Sequence, residues 1–320
     1  MERIFVCIAS YRDKQLPKTV ASLLENAEHP ELIDIWILNQ VDFEQDQACM
    51  LAAPEDYPQV EERCIDHTLS RGCCWARAYV YEHLFKDQEF VLQLDSHCRL
   101  LKNWDTEVKA MRKGLEDSKA ILSHYAMPFG DDEVLKDEYF ISFECPRFDE
   151  AYKLPRIHPH SSWERPEQPK QIAFVGGGFI FGLGKAFREV PYDPFLYFNG
   201  EEQTYAARLW THGYNIYAPQ KSIARHYYAD NPDLKRVRHR EDNKRSDNLT
   251  ALSIARHKHL LGIENSDNDA VIRFLNRYWL GKERSLKDYE KFSWVCFKEQ
   301  TVEEFAKKGQ VNEAYASAVA

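Results

Sequence analysis

Two side chains that commonly bind metal ions, Asp95 and His97, stand two positions apart directly after an apolar run at 90–94. Side chains at i and i+2 of an extended segment point to the same side, so both can reach one ion while Ser96 faces away. A carboxylate and an imidazole suit Mn²⁺ or a similar divalent ion, and phosphate oxygens and water can complete its shell. The pattern is short, and on spacing alone an exposed Asp and His at a strand end are the slightly stronger interpretation.

A third candidate ligand is His226, which follows Arg225 in the second half of the chain. A distant histidine of this kind can close a metal site from the other half of a fold. Because the chain has twelve histidines, this residue alone is a weak signal.

Acidic and glycine-rich segments lie farther along. Glu201 and Glu202 follow Gly200 at the predicted start of a helix, where acidic side chains also complement the helix dipole. With a substrate bound, they would instead hydrogen-bond sugar hydroxyls or steady positive charge at a reacting carbon. The glycines at 176–178 form a tight turn between strands, or let the backbone approach a sugar closely. Their spacing matches neither the dinucleotide-binding nor the P-loop motif.

These side chains need elements to position them, and the first 125 residues alternate apolar runs with helical patterns. The runs predict strands, and apolar residues three and four apart predict the helices between them. Strands are expected at 4–8, 33–38, 63–66, 90–94 and 120–123, with helices beginning near residues 16, 75 and 104. This alternation predicts an α/β fold, a three-layer αβα sandwich with a mainly parallel central sheet.

The pattern changes after about residue 125. Six prolines fall within 126–170, which predicts a long connecting segment with little regular structure, part of which contacts a substrate. A helix is then expected over 201–212. The charged segment 229–249 predicts an exposed mobile loop, and polar helices are expected from residue 249 as C-terminal additions.

Composition limits the function classes. The chain has 320 residues, a net charge of −9 and 44% apolar residues, which argues against a disordered chain and against a protein that coats nucleic acid. No signal peptide or bilayer-length apolar run is evident, so no transmembrane segment is expected. The eight cysteines form no CxxC pair, and we interpret them as reduced thiols, mostly buried, in a cytoplasmic protein.

The motifs occur in an order that resembles a known family. The run Leu94-Asp95-Ser96-His97-Cys98 resembles the metal motif of polypeptide N-acetylgalactosaminyltransferases, which have the GT-A fold and use Mn²⁺ with a UDP-sugar. Over roughly residues 3–228 the chain looks more like their relatives, the hydroxyproline-type polypeptide α-N-acetylglucosaminyltransferases. The other segments that carry this resemblance are Ala9-Ser10-Tyr11-Arg12-Asp13, Ser70-Arg71-Gly72-Cys73-Cys74-Trp75-Ala76-Arg77, the triple glycine and Gly200-Glu201-Glu202.

The resemblance implies a role for each matching residue. Asp95, His97 and His226 match the metal ligands, with Mn²⁺ expected first and Mg²⁺ second. Glu201 and Glu202 lie in the acidic region and are the expected catalytic residues. The expected substrate contacts are Ser10, Tyr11 and Arg12 around the uridine, Gly72 and Arg77 around the nucleotide and donor sugar, and also Ser96, Gly177 and Gly178.

Two departures from the family pattern leave specificity open. Glu202 stands where the galactosaminyl enzymes have Asn, which bears on the donor sugar. Asn39 and Gln40 follow the second strand where that family often has acidic uracil contacts, so recognition of the base differs as well.

The resemblance predicts a GT-A-like glycosyltransferase. It would move a sugar, GlcNAc first, from a UDP-sugar to a hydroxyl of a protein or glycan acceptor, with retention of anomeric configuration. A metal-dependent sugar-nucleotide hydrolase and a non-catalytic sugar-binding protein remain as alternatives. The expected GT-A domain spans 1–228, with a nucleotide-binding half at 1–125 and an acceptor or sugar half at 126–228. A mobile loop and helical extension follow at 229–320.

Overall fold

The computed structural model describes residues 2–52, 57–130, 139–228 and 237–319. The strands are β1 (Ile4–Tyr11), β2 (Ile33–Val41), β3 (Val60–Asp66), β4 (Phe90–Asp95), β5 (Cys98–Leu100), β6 (Ala120–Ser123), β7 (Met127–Phe129), β8 (Phe140–Glu144), β9 (His158–Ser162), β10 (Lys170–Ile172), β11 (Phe179–Leu183), β12 (Asn215–Ala218), β13 (Ala224–Tyr227), β14 (Val295–Cys296) and β15 (Thr301–Val302). The α-helices are α1 (Leu16–Glu25), α2 (Cys73–Leu84), α3 (Trp104–Lys113), α4 (Gly184–Glu189), α5 (Glu201–Thr211), α6 (His239–Asp242), α7 (Ser246–Leu260), α8 (Asp269–Ile272), α9 (Leu275–Tyr278), α10 (Leu286–Ser293) and α11 (Glu313–Ala318).

Eight of the described strands form a central sheet in the order β10-β12-β6-β11-β4-β1-β2-β3. Strands β1, β2, β3, β4, β6 and β12 share one direction, whereas β10 and β11 run against it. The expected mainly parallel sheet is therefore confirmed. Because β11 is antiparallel to β4, its first residues lie at the edge where β4 ends.

Both faces of the sheet are covered, which explains the unbroken apolar run of β1. Ile4, Val6 and Ile8 pack into one hydrophobic core with α1 and α3, and Phe5 and Cys7 pack into the other with α2 and α5. The expected three-layer αβα arrangement is confirmed as well.

The expectation of little regular structure in 126–170 is wrong for the described part of that segment. Strands β7, β8 and β9 lie there, β10 begins at its last residue, and β8 and β9 form an antiparallel pair. Strand β9 reads His-Pro-His-Ser-Ser and lacks an apolar pattern, so its pairing with the apolar β8 defines it. Residues 131–138 lie outside the described part.

The expected loop at 229–249 also differs from the structure. Residues 229–236 lie outside the described part, but α6 lies within the segment and α7 begins at Ser246, before residue 249.

The C-terminal residues pack against helix α5 through aromatic side chains. Phe292 of α10 stacks on Trp210 of α5 with ring centroids 4.0 Å apart, and both are buried in the core that contains α2. On α7, Arg256 pairs with Asp193 at 2.7 Å, and both side chains are almost fully buried. The helical additions were expected, and the division of the chain at residue 228 stays a prediction.

Among the helices of the described residues, none has the length and apolar character that a bilayer-spanning helix needs.

Candidate active site

The three predicted metal ligands meet at the carboxyl end of β4. Asp95 is the last residue of that strand, and His97 lies in the bend before β5. Strand β13 pairs antiparallel with β5, which sets His226 opposite Cys98 and beside His97. Asp95 Oδ2 lies 3.2 Å from His226 Nε2 and 4.0 Å from His97 Nε2. One ligand atom from each residue falls within 4.8 Å of the others, so the strand pairing gathers a three-residue cluster.

A buried carboxylate behind the cluster orients one of the imidazoles. Asp13 Oδ2 lies 2.7 Å from His97 Nδ1 and accepts a hydrogen bond from the Ser96 hydroxyl at 2.6 Å. Burial alone would raise the pKa of Asp13, but the His97 ring, the Ser96 hydroxyl and the Gln15 backbone N–H lower it to about 2. An ionised Asp13 on Nδ1 directs Nε2 of His97 toward Asp95, as carboxylates do behind metal-bound histidines.

Ser96 does not simply face away from the cluster, as the sequence had suggested. Its side chain is buried and its hydroxyl is bonded to Asp13, so it shares that carboxylate with His97.

The donor set fits a divalent cation such as Mn²⁺. One carboxylate and two imidazoles leave coordination positions open for phosphate oxygens or water. Burial would raise the pKa of Asp95, but the hydrogen bond from His226 and the charges of Arg77 and His97 hold it well below its usual range, so the side chain is a carboxylate. Gly178 shapes the wall of this site, since a Cβ there would come within 2.5 Å of Asp95 Oδ2.

Arg77 links the metal-binding cluster to the acidic pair on α5. The side chain is buried, and its Nη2 donates to Asp95 Oδ1 at 2.7 Å while its Nη1 donates to Glu201 Oε1. Tyr192 also donates its hydroxyl to Glu201 Oε1. A Cβ on Gly177 would lie 2.7 Å from the same oxygen, so this glycine lets the turn before β11 approach the ion pair.

Glu202 occupies the other side of that turn. Its Oε1 accepts from the Gly177 backbone N–H at 2.8 Å, and its Oε2 accepts from the Tyr125 hydroxyl at 2.5 Å. Burial raises the pKa of Glu202 to about 7, with a further contribution from the Glu201 charge, although both hydrogen bonds oppose the shift. A carboxyl that titrates near neutrality can hold or release a proton under working conditions.

The predicted uridine-binding residues lie at the end of β1, the neighbour of β4. Ala9 is in register with Asp95, so Ser10, Tyr11 and Arg12 continue past the same sheet edge. Helix α6 rests against them: Asp242 Oδ2 accepts from the Tyr11 hydroxyl at 2.5 Å and from Arg12 Nη1 at 3.1 Å.

Gly72 lies nearby, at the residue before α2, with φ at +98°. A Cβ there would come within 2.4 Å of the Tyr197 ring, so only glycine fits the position.

Comparison with known proteins decides the family. The family model described as "Glycosyltransferase (GlcNAc)" matches residues 3–57 and 55–299. The chain belongs to this glycosyltransferase family. No curated protein sequence matches the chain significantly.

Solved structures give the fold of this glycosyltransferase. GalNAc-T7, solved with UDP, GalNAc and Mn²⁺, is 14% identical with a TM-score of 0.56; the alignment covers 91% of this chain and 56% of that one. TarS from S. aureus in complex with UDP-GlcNAc is 13% identical, with 86% and 72% covered and a TM-score of 0.48. A mannosyltransferase from Pyrobaculum calidifontis, in complex with GDP-Man and Mn²⁺, is 13% identical, with 80% and 61% covered and a TM-score of 0.45. The likeness to GalNAc-T7 confirms the GT-A fold, and the chain spans just over half the length of that protein.

In this glycosyltransferase the residues predicted from sequence fall into two neighbouring groups. The first group surrounds Arg77, and neighbouring members are in contact with one another. It comprises Asp95, Ser96, His97, His226, Gly177, Gly178, Glu201 and Glu202. The second comprises Ser10, Tyr11, Arg12 and Gly72; Tyr11 and Arg12 bond to Asp242 of α6, and Gly72 lies against the Tyr197 ring. Their roles stay predictions.

Sequence reasoning missed Asp13 and Tyr125. Asp13 was visible as the last residue of the Ala9-Ser10-Tyr11-Arg12-Asp13 run, whereas Tyr125, an aromatic residue just after β6, carried no local signal.

Proposed function

We propose that the protein transfers GlcNAc from UDP-GlcNAc to an acceptor hydroxyl, and that it needs a divalent cation, Mn²⁺ first. The observation that carries the proposal is the cluster of Asp95, His97 and His226, with Asp13 behind His97. This donor set lies at the carboxyl end of the sheet, where open α/β folds bind nucleotides. The family description supports GlcNAc as the donor sugar. The binding of UDP and Mn²⁺ by GalNAc-T7 supports the nucleotide and the metal.

The cation, when bound, would neutralise charge that builds on the leaving diphosphate. Asp95, His97 and His226 would hold it, and Asp13 would keep the His97 ring turned toward it. Arg77 contributes a positive charge next to the cluster, and its two carboxylate partners keep the guanidinium in place.

The acidic pair has two different environments and, we propose, two different roles. Glu201 is fixed by Arg77 and Tyr192 and positions Arg77. Glu202 faces the Gly177 turn and Tyr125, and its pKa of about 7 suits a group that hydrogen-bonds a sugar or acceptor hydroxyl and accepts its proton. Neither is required as a covalent nucleophile, which agrees with a retaining transfer in which the hydroxyl attacks from the face that UDP leaves.

The proposal extends to the acceptor, the cellular location and the domain bounds of the protein. The acceptor is a protein or glycan hydroxyl, and kinship with the hydroxyproline-type enzymes is part of the proposal. All eight cysteines are free thiols, which supports a cytoplasmic location. We retain 1–228 as the GT-A domain and 229–320 as its extension.

Binding measurements test the metal and the nucleotide before the acceptor is known. Calorimetric titration with UDP-GlcNAc, UDP-GalNAc and GDP-mannose, each with and without Mn²⁺, should show tight binding of UDP-GlcNAc only with the metal. Asp95→Asn should abolish the metal effect. Asp34→Asn, at the opposite edge of the sheet near the start of β2, should not change it. Equal binding with and without Mn²⁺, or no binding of UDP-sugars, would contradict the proposal.

Product analysis separates transfer from hydrolysis. An acceptor screen with UDP-GlcNAc should yield a new glycoside whose anomeric configuration, determined by NMR, matches that of the donor. Release of UDP and free sugar with every acceptor tested would favour the hydrolase instead.

A further inference from the structure

A second cluster of metal-binding side chains lies at the start of α2, on the opposite side of Arg77 from Asp95. Cys73 and Cys74 are the first two residues of the helix, and their Sγ atoms lie 3.9 Å apart. Glu201 Oε2 lies 3.3 Å from the first sulfur and 3.2 Å from the second. These atoms form a triangle of two sulfurs and one carboxylate oxygen.

The dimensions of this triangle match those around a tetrahedral zinc ion. With Zn–S bonds of about 2.3 Å and Zn–O bonds of about 2.0 Å, tetrahedral angles place two bound sulfurs about 3.8 Å apart and a sulfur and an oxygen about 3.5 Å apart. The observed separations of 3.9, 3.3 and 3.2 Å differ from these values by no more than about 0.3 Å. Only small side-chain shifts would be needed to seat an ion.

We propose that Cys73, Cys74 and Glu201 form a second cation site, which takes a thiophilic divalent ion such as Zn²⁺ or Cd²⁺. Two sulfur ligands select such ions, whereas the oxygen and nitrogen ligands at Asp95 suit Mn²⁺. The Tyr197 carbonyl oxygen, 3.4 Å from Cys73 Sγ, or a water molecule supplies the fourth ligand. Two metal–sulfur bonds form as the two S–H bonds break, and both protons pass to solvent.

The surroundings act on the thiols in both directions. Burial, the neighbouring Cys73 and the Glu201 charge raise the pKa of the Cys74 thiol well above its usual value, so the ion itself must displace that proton. The amino end of the twelve-residue helix α2 carries a partial positive charge, which stabilises the thiolates once the ion is bound. The two carboxylate oxygens of Glu201 have different partners. Oε1 accepts hydrogen bonds from Arg77 and Tyr192, whereas Oε2 faces the sulfurs. An ion can therefore bind Oε2 without displacing the guanidinium. Cys73 is partly exposed, which gives the ion a path to the buried Cys74.

The site is separate from the Asp95 cluster but connected to it. Glu201, Arg77 and Asp95 form a continuous chain of ion pairs between the two. Because two thiols lose two protons as the divalent ion binds, the net charge beside Arg77 does not change, so both sites can be occupied at once.

Titration with Cd²⁺ tests the site directly. The full-length reduced protein, saturated with Mn²⁺ so that the Asp95 cluster is occupied, is titrated with Cd²⁺ while the ultraviolet charge-transfer absorption of cadmium–sulfur bonds is recorded. We expect an absorption that saturates at one equivalent. Cys73→Ser and Cys74→Ser should each weaken this binding at least about tenfold, which corresponds to about 1.4 kcal/mol, and Glu201→Gln should weaken it as well.

The chain offers matched controls. Cys64→Ser and Cys296→Ser remove partly exposed thiols elsewhere and should leave the titration unchanged. His97→Ala should also keep the cadmium–sulfur band, because it changes only the other cluster. A wild-type protein without the band at one equivalent, or a band that persists in both Cys73→Ser and Cys74→Ser, would overturn the proposal. Because the readout is cadmium–sulfur absorption, its result is independent of whether the protein proves to be a GlcNAc-transferase.

Discussion

Replacement of Asp13 by asparagine should weaken Mn²⁺ binding while leaving the three ligands in place. The Asp13 carboxylate is almost fully buried and lies 2.7 Å from His97 Nδ1. Asparagine has nearly the same size but no charge, so the electrostatic support for the His97 ring and for the basicity of Nε2 is lost without a cavity.

The size of the effect follows from one charge-assisted hydrogen bond. Such bonds are worth about 1.5–3 kcal/mol, and carboxylates behind metal-bound histidines change metal affinity about 10- to 100-fold. A loss of about 2 kcal/mol corresponds to about 30-fold weaker Mn²⁺ binding. Calorimetric titration with Mn²⁺ at neutral pH measures this directly.

The control is Asp34→Asn. That carboxylate pairs with Arg3 at the opposite edge of the sheet, and its loss should leave Mn²⁺ affinity unchanged. A loss below about threefold in Asp13→Asn, or an equal loss in both variants, would refute the idea that Asp13 positions His97 for a cation.

Three further results are expected. Gly178→Ala should weaken Mn²⁺ binding more than about tenfold, because the new Cβ would lie 2.5 Å from Asp95 Oδ2. Arg77→Met should lower the free energy of unfolding by about 3–5 kcal/mol in urea titrations, because it leaves the carboxylates of Asp95 and Glu201 without their cationic partner. Acidification should destabilise the protein because burial lowers the pKa of His257 to about 4. The unfolded chain takes up that proton near pH 6.5, so this histidine alone should lower the free energy of unfolding by about 2 kcal/mol between pH 7.5 and 5, and His257→Gln should make the total fall smaller by that amount.

Matched variants separate these effects from general damage. Gly114→Ala adds a Cβ whose nearest neighbour is 3.4 Å away and should leave Mn²⁺ binding intact. Arg3→Met breaks a half-exposed ion pair and should cost less than about 1 kcal/mol. If His257→Gln retained the full pH dependence, the destabilisation would have to come from other groups.

Local patterns were sufficient to predict the layers of this fold. The apolar run at the start of β1 and the stripe of Trp104, Val108 and Met111 on α3 follow from burial on both faces of a sheet and on one face of a helix. The antiparallel insertion of β11 and the small sheet β5-β13-β7 depend on pairing between distant segments, which no local window contains. Strand β9 shows the same limit, since only its partner gives it regular structure.

Only part of the site could be predicted, because contacts between distant segments complete it. Asp95 and His97 are visible as a short motif, but His226 joins them only because β13 lies against β5, and the family resemblance rather than the spacing singled it out. Asp13 and Tyr125 contact His97 and Glu202 from loops, where aspartate and tyrosine are common without any role in a site. The sulfur cluster depends on a contact between α2 and α5 that sequence alone does not contain.

The span of chain between Asp95 and His226, 131 positions, has a consequence for how the protein acquires its native state. Bringing such distant segments together is entropically costly and comes late in folding. A cation that binds only the assembled cluster is a ligand of the native state alone, so Mn²⁺ should raise the melting temperature and slow global unfolding. Ribosome-bound chains that end before residue 226 would lack this stabilisation, so metal uptake would mark the point at which strand β13 has paired with β5.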